Sequence, residues 1–255
     1  MKNTLIKAAT EAGKILKENF EGNFKISSKD VLSNIVTEID KKSEEKIIEV
    51  IKADFLHHNI LSEEAGSLFQ ESEYKWIIDP IDGTVNYAHS IPLTCVSVAL
   101  EKNGEVIMGV VFNPLSNEFF FSEKSKGSYL NERKITVSKN DNIKKSLLVT
   151  GFPYDSSSYI PDPVAVFKKF VMIDVPIRRL GSAALDLCWT ACGRFDGFWE
   201  YNLNAWDVAA GYLILLEAGG KVTKFRGEKY SIYEKEILAT NGLIHDDMIE
   251  IMNNE

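Results

Sequence analysis

Cysteine and histidine are scarce in this sequence. Its 255 residues include three cysteines (Cys95, Cys188 and Cys192) and four histidines. Three is an odd number, and neither a C-x-x-C nor an H-x-x-x-H spacing occurs. A disulfide framework and a zinc site are therefore not expected. Cys188 and Cys192 are four residues apart in a stretch with a helical pattern, so we expect both to pack inside the protein, in a reducing compartment.

Long apolar runs and an excess of positive charge are missing as well. No run approaches the roughly 18 apolar residues of a membrane span. Charged residues interrupt the first 20 residues too often for a signal peptide. The formal net charge is −8, and no basic stripe stands out. We therefore expect a cytoplasmic protein that has neither a membrane nor a nucleic acid as its partner.

The hydrophobic content of 45% is ordinary for a globular protein of this length. Residues 1–140 read as helices followed by an antiparallel meander, which predicts an α+β half. Residues 141–255 alternate strands with helices, which predicts an α/β half and places the whole chain in the α/β class. A polar stretch at 138–146 marks the boundary. The predicted helices span 3–20, 40–54, 163–170, 183–193 and 206–219. The predicted strands span 74–79, 93–101, 106–113, 118–123, 146–151, 175–180, 197–201 and 221–225.

The most informative segment is WIIDPIDGTVNYAH at 76–89. Asp79 and Asp82 are three residues apart and would face opposite sides of a regular strand. Because Pro80 disfavours a continuing strand, we predict a turn that brings both carboxylates and the Ile81 carbonyl into one pocket. Oxygen ligands of this kind suit Mg²⁺. A helix opening at Gly83 and Thr84 would present backbone N–H groups to a phosphate.

The spacing of the acidic residues excludes two other kinds of phosphate or ion site. The phosphoryl-aspartate phosphatases use D-x-D, whereas two residues separate Asp79 from Asp82 here. An EF-hand loop counted from Asp79 would have Ile81 and Ser90 at positions that require acidic residues. A serine nucleophile elbow, G-x-S-x-G, does not occur either.

The segment at 76–89 resembles the first signature of the inositol monophosphatase family, and WDVAAGYLILLEAGG at 206–220 resembles the second. NIVTEID at 34–40 and the acidic pair at 63–64 are similar to further family segments, so that the likeness covers nearly the whole chain. The resemblance implies a layered α-β-α-β-α sandwich of the sugar phosphatase and fructose-1,6-bisphosphatase type. It also implies a homodimer and inhibition by Li⁺.

The resemblance further implies a role for each matching residue. Two or three Mg²⁺ ions would be bound by Glu63, Asp79, Asp82, Asp207 and the Ile81 carbonyl. Catalysis would rest on Asp40 and Thr84, which together deprotonate the attacking water, and on Glu63. The substrate would be held by Gly83, Thr84, Gly181, Ser182, Ala183, Glu200 and Asp207.

Simpler interpretations of the same residues stay open at this stage. Asp40 and Asp207 could serve only as helix caps. Glu63 could belong to a solvated turn, and Glu200 could be a surface carboxylate.

The expected function is Mg²⁺-dependent hydrolysis of inositol monophosphate by direct attack of water. A broader phosphatase is the alternative, acting on fructose 1,6-bisphosphate, 3′-phosphoadenosine phosphate, NADP or histidinol phosphate. A metal-regulated interaction protein without enzymatic activity is the alternative from another class.

Overall fold

The computed structural model describes residues 1–22, 24–28, 35–153 and 162–254. Asn34, the first residue of the early family segment, lies outside this range. The helices of the described residues are α1 (Lys2–Asn19), α2 (Glu38–Asp54), α3 (Thr84–Ala88), α4 (Pro163–Val171), α5 (Ala183–Ala191), α6 (Ala205–Glu217) and α7 (His245–Asn253). The strands are β1 (Ile26–Ser28), β2 (Ile35–Thr37), β3 (Asn59–Ser62), β4 (Gly66–Leu68), β5 (Tyr74–Asp82), β6 (Cys95–Lys102), β7 (Glu105–Asn113), β8 (Glu118–Glu123), β9 (Ser128–Leu130), β10 (Arg133–Ile135), β11 (Leu148–Thr150), β12 (Ile177–Arg178), β13 (Gly197–Tyr201), β14 (Lys221–Thr223) and β15 (Glu236–Thr240).

Two sheets form the framework. An eight-stranded sheet has the order β10-β9-β8-β7-β6-β5-β3-β4, and a five-stranded sheet has the order β12-β11-β13-β15-β14. Strands β6, β7 and β8 form the antiparallel meander that the sequence predicts. In the smaller sheet, β11 runs parallel to β12 and β13, whereas β15 is antiparallel to β13. The smaller sheet is therefore mixed.

Helices cover both faces of the large sheet. On one face, α1 and α2 bury apolar residues such as Leu5 and Ile47 against Trp76, Val98 and Val110. On the other face, α5 and α6 lie between the two sheets. Their core joins Phe120 of the large sheet to Phe198 of the small one. The middle helices are thus apolar nearly all round, as expected for helices buried on two sides.

The outer face of the small sheet packs against α4 and α7. Phe170 of α4 and Met248 of α7 share a third core with Leu148 and Trp199. The order of layers is therefore α-β-α-β-α, as the sequence resemblance implies. None of the described helices is both long and apolar enough to span a membrane.

Several details differ from the sequence predictions. Strand β5 does not end at Pro80 but continues to Asp82 through an irregularity in its pairing with β6. Helix α2 begins at Glu38, because Thr37 is its N-cap and accepts backbone N–H groups at its hydroxyl. Asp40 is therefore inside the first turn and is not the N-cap. Among the elements that were not predicted are β3, β4, β15 and α7.

Candidate active site

A β-bulge explains how Asp79 and Asp82 reach the same side of β5. Asp79 pairs with Ser97 of β6 and Asp82 pairs with Cys95, so three steps on β5 match two steps on β6. Ser97 and Cys95 are two residues apart and face the same side of their strand. The extra residue in β5 therefore restores the alignment of the two carboxylates without ending the strand. The Ile81 N–H donates to Asp79 Oδ1 at 3.0 Å within this bulge.

Gly83 turns the chain from β5 into the short helix α3. Its φ is +87°, in the left-handed region. A Cβ at this position would lie 2.7 Å from the Leu93 carbonyl oxygen. Any other residue would therefore be strained and would clash with neighbouring backbone.

Asp40 and Thr84 are brought together by α2 and α3. The Thr84 hydroxyl lies 3.0 Å from Asp40 Oδ1 and 2.9 Å from the Ile81 carbonyl oxygen, so it can donate to either acceptor. Asp40 Oδ2 accepts hydrogen bonds from the Thr37 N–H at 2.8 Å and the Thr37 hydroxyl at 2.6 Å. The Asp40 carboxyl thus caps α2 with one oxygen and meets Thr84 with the other.

Asp82 connects the large sheet to the middle helix layer. Its Oδ2 accepts a hydrogen bond from the Ser182 hydroxyl at 2.7 Å and another from the Ala184 N–H at 2.7 Å. Ser182 is also the N-cap of α5. The beginning of α5 is therefore aligned with the carboxylate that follows the bulge, and a helix N-terminus favours negative charge there.

Asp207 belongs to the first turn of α6. Its Oδ2 accepts a hydrogen bond from the Asn204 N–H at 2.6 Å, which closes a capping box. Asp207 is therefore a cap, as one sequence interpretation allowed, and it also faces the cavity described below. Capping occupies one oxygen and leaves the other to interact elsewhere.

Glu200, near the end of β13, lies directly over the Cα of Gly151. A Cβ at residue 151 would be 2.0 Å from Glu200 Oε1 and 2.2 Å from its Cδ, so the carboxyl would have to move if residue 151 had a side chain. Glu200 is thus not a surface carboxylate, and the absence of a side chain at 151 leaves the space that its carboxyl occupies.

A cavity of about 420 Å³ joins these residues. The volume is in the range of small-ligand sites, roughly 300–1,000 Å³. Asp40 is fully buried behind Thr84 and does not line the cavity. Glu64 does not line it either. The residues proposed from the sequence that do line it are Glu63, Asp79, Ile81, Asp82, Gly83, Thr84, Gly181, Ser182, Ala183, Glu200 and Asp207.

Burial and mutual repulsion raise the pKa of the carboxyl groups around the cavity. Burial, then the charges of Glu63, Asp82 and Asp207, hold the pKa of Asp79 well above its usual range. Burial is also the main cause that raises the pKa of Asp82 to about 6 and that of Asp207 to about 8. Negative charge is therefore concentrated here beyond what the protein's own groups neutralise.

The donor set fits a hard divalent cation. It consists of carboxylate and carbonyl oxygens without thiol or imidazole ligands. Within the described ranges, no three acidic, histidine or cysteine side chains are grouped closely enough to form a metal site by themselves. Mg²⁺ does not require such a group, because it keeps several waters and commonly takes one or two carboxylates together with substrate phosphate oxygens.

Gly151 and Arg179 are among the cavity residues that the sequence analysis did not propose. Gly151 follows a short strand, and Arg179 stands in an Arg-Arg pair before Gly181. Neither belongs to a motif, so only the packing of the strands reveals that they face the site. The Gly-Phe-Pro sequence at 151–153 signals a chain turn after a strand but says nothing of Glu200.

The family assignment rests on the whole chain. The model of the inositol monophosphatase family matches residues 1–255. The chain belongs to the inositol monophosphatase family. As a member of this family it is a phosphoric monoester hydrolase, and the family acts on small phosphate esters.

Several known proteins are similar to this chain over most of their length. The inositol-1-monophosphatase of Synechocystis is 42% identical over 228 residues, which are 89% of this chain and 79% of that protein. The fructose-1,6-bisphosphatase/inositol-1-monophosphatase of Thermotoga maritima is 36% identical over 97% of this chain and 94% of its own. The crystal structure of the extragenic suppressor protein suhB from Bartonella henselae superposes with a TM-score of 0.93 at 34% identity, over 99% of this chain and 98% of that one.

Proposed function

We propose that this protein is a Mg²⁺-dependent phosphatase that hydrolyses inositol monophosphate by direct attack of water. One observation carries the proposal. Carboxyl groups from three separate segments of the chain, those of Glu63, of Asp79 and Asp82, and of Asp207, line the same cavity as Thr84, whose hydroxyl contacts the buried Asp40. A scaffold that only binds a partner has no need for a base behind the cavity wall.

The acidic wall would hold two or three Mg²⁺ ions. Glu63, Asp79, Asp82, Asp207 and the Ile81 carbonyl are the proposed ligands. When bound, the ions would lower the pKa of a water molecule and offset the negative charge of the phosphate. Asp82 would offer the oxygen that Ser182 and Ala184 leave free.

Thr84 and Asp40 would remove the proton of the attacking water. The Thr84 oxygen can accept this proton while its own passes to Asp40 Oδ1, 3.0 Å away. Burial raises the pKa of Asp40 to about 6, which suits a general base near neutral pH. The water oxygen forms a bond to phosphorus as the bond to the sugar oxygen breaks, and no covalent bond to the protein forms. Glu63, which also lines the cavity, would support this step.

The substrate would lie between the first turn of α3 and the small sheet. The Gly83 and Thr84 N–H groups would donate hydrogen bonds to phosphate oxygens. Gly181 and Ala183 would line the sugar, and Glu200 would contact one of its hydroxyl groups. The Ser182 hydroxyl already donates to Asp82, so its contribution would come through the position of that carboxylate.

Phosphate release from a panel of esters tests the proposal. We expect turnover of inositol 1-phosphate with Mg²⁺, its loss with EDTA and its inhibition by Li⁺. Asp82→Asn should abolish turnover, whereas the exposed Asp247→Asn on α7 should not change it. Absence of turnover on every ester would contradict the phosphatase proposal and favour an interaction protein.

A broader sugar phosphatase is the second candidate. It is favoured by the Thermotoga relative, which is named for both fructose 1,6-bisphosphate and inositol phosphate. The acidic wall would serve either substrate equally. A kcat/KM that strongly favours an ester other than inositol 1-phosphate would select this alternative. A homodimer and a cytoplasmic location stay predictions from the sequence.

A further inference from the structure

Helix α2 carries a row of buried polar side chains on the face that packs against the large sheet. Asp40, Ser43 and Glu44 are three and four residues apart, so they lie on one side of the helix, and each is at most 5% exposed. Farther along the helix the buried residues are apolar, among them Ile47 and Ile51. Buried polar groups in proteins are nearly always hydrogen-bonded, so each of the three should have a specific partner.

The three polar side chains contact three different elements of the candidate site. Asp40 meets Thr84 of α3, as described above. The Ser43 hydroxyl donates to the Pro80 carbonyl oxygen at 2.9 Å, inside the β-bulge of β5. Glu44 binds the turn between β3 and β4. A single helix is therefore hydrogen-bonded to α3, to β5 and to the β3–β4 turn.

The contacts of Glu44 with this turn all involve one carboxylate oxygen. Its Oε1 accepts hydrogen bonds from the N–H groups of Glu64 at 3.1 Å and Ala65 at 3.0 Å, and from the Ser62 hydroxyl. Backbone N–H groups at the tip of a hairpin commonly face water, since connecting segments run over the surface. Here a side chain from another element holds two of them.

Glu63 stands between the groups that Glu44 holds, because Ser62 precedes it and Glu64 follows it. Its own N–H donates to the Ile78 carbonyl oxygen of β5 at 3.2 Å. The backbone on both sides of Glu63 is therefore fixed by hydrogen bonds. Glu63 lines the cavity, whereas Glu64 does not. A side chain that starts from a fixed backbone has a defined direction, which a metal ligand requires.

We propose that Glu44 is a positioning residue for Mg²⁺ binding, whose carboxylate holds the turn at residues 63–65 so that Glu63 is presented to the metal. The inference rests on the proposed role of Glu63 as a Mg²⁺ ligand. Glu44 contacts the turn and does not line the cavity, so it acts through Glu63 and not on the ion or the substrate. Groups that orient a metal ligand commonly change metal affinity about 10- to 100-fold.

Calorimetric titration of the metal-free protein with Mg²⁺ tests this role. Glu44→Asp keeps the charge but withdraws the carboxylate by one methylene, and we expect the dissociation constant of Mg²⁺ to rise about 10- to 100-fold. Glu44→Gln removes the charge but keeps an acceptor oxygen in place, so the dissociation constant should stay within about threefold of the wild type. Glu45→Asp, at the exposed next position of α2, is the matched control and should bind Mg²⁺ as the wild type does.

Turnover of inositol 1-phosphate separates metal binding from chemistry in the same variants. The Mg²⁺ concentration for half-maximal turnover should follow the dissociation constant, whereas kcat at saturating Mg²⁺ should fall much less. Should Glu44→Asp fail to fold, Glu44→Met makes the comparison with Glu44→Gln. It matches glutamine in length and charge but lacks the acceptor oxygen, so it should weaken Mg²⁺ binding by the factor expected for Glu44→Asp.

Unchanged Mg²⁺ affinity in Glu44→Asp or Glu44→Met would overturn the proposal, even if these variants unfold at a lower temperature, because Glu44 would then serve only the fold. A loss of affinity in Glu44→Gln as large as in Glu44→Asp would overturn it too, because the charge and not the position would then matter. A wild type that binds no Mg²⁺, or that turns over no ester, contradicts instead the proposed function, so the two failures are distinguishable.

Discussion

Thr84 has two acceptors for one hydroxyl proton, the Asp40 carboxylate and the Ile81 carbonyl. A hydroxyl that can turn from a carbonyl to a carboxylate is suited to pass on a proton, since both positions are at normal hydrogen-bond distance. The Thr84 side chain therefore connects the cavity to the Asp40 carboxyl group, which does not line the cavity.

We expect Thr84→Val to lower kcat by about 10²- to 10⁴-fold, the usual contribution of a positioned proton acceptor. Valine has nearly the same shape, so KM and the thermal unfolding temperature should change little. Thr84→Ser, which keeps the hydroxyl, should recover most of the activity. Equal loss in both variants would mean that Thr84 acts through packing and not through its hydroxyl.

We expect Gly151 to affect substrate binding through the position of Glu200. A Cβ at this position would occupy the place of the Glu200 carboxyl, so Gly151→Ala should push that carboxyl away. We expect KM for inositol 1-phosphate to rise roughly tenfold, the effect of one lost hydrogen bond of about 1.4 kcal/mol. The kcat should fall much less.

A double-mutant cycle isolates this effect. In a Glu200→Ala background, Gly151→Ala should add little further change in KM. Additive losses in the double variant would show that Gly151 does not act through Glu200.

At this scale the sequence predicts the acidic residues well and their partners poorly. Asp79 and Asp82 stand in a dense motif, so their chemistry is visible in one segment. The hydrogen bonds of Asp82 to Ser182 and Ala184 join residues about 100 positions apart, and only the fold brings them together. Arg179 and Gly151 have no local signature, because their position depends on how three short strands align.

At the scale of elements, helices with a clear apolar spacing are predicted to within a few residues. Strand β5 shows the limit of local rules. Pro80 is typical of the end of a strand, but it lies in a β-bulge within β5, and the pairing of β5 with β6 continues beyond it. Strand β15 has only five residues and helix α7 only nine, so neither is long enough to show a clear periodic pattern.

His245 joins three elements at the start of α7. Its ring nitrogens lie 2.8 Å from the hydroxyl groups of Thr223 on β14 and Thr240 on β15. Burial lowers the pKa of His245 to about 4. As the pH falls, the unfolded chain binds a proton at His245 near pH 6.5, whereas the folded protein does so only near pH 4. The contribution of neutral His245 to stability is therefore complete above pH 6.5 and is lost as the pH falls toward 4.

We expect the wild type to lose about 2 kcal/mol more of its free energy of unfolding between pH 8 and pH 5 than His245→Asn does. Urea titrations at the two pH values measure this difference. The exposed His57→Asn should behave as the wild type does. A parallel pH dependence of wild type and His245→Asn would contradict the assigned pKa.

At the scale of the whole molecule, the site opposes the stability of the fold. The pKa of Asp79 is raised, so the folded protein without metal holds a proton there that the unfolded chain has released. A raised pKa of an acid gives stability that is present at low pH and is lost as the pH rises through the folded-state value. Cations that neutralise the site should reverse this loss.

Without metal, Asp79→Asn should therefore raise the free energy of unfolding at pH 8, because the variant has no carboxyl group to ionise there. In the wild type, Mg²⁺ should stabilise the fold more at pH 8 than at pH 6, and much less so in the variant. Urea unfolding in EDTA and in Mg²⁺ checks both statements, with Asp247→Asn as the control. A destabilised variant in EDTA would show that Asp79 serves the fold itself.

The two middle helices belong by sequence to the second half of the chain but pack against the large sheet of the first half. Phe120 and Cys95 share one core with Ala184 and Leu213. A gene divided at codons 138–146 would therefore encode two fragments, each with an exposed apolar surface that the other fragment covers in the intact protein. Such fragments should precipitate when made singly and regain turnover only when produced together, so genetic complementation would report directly on the shared interior.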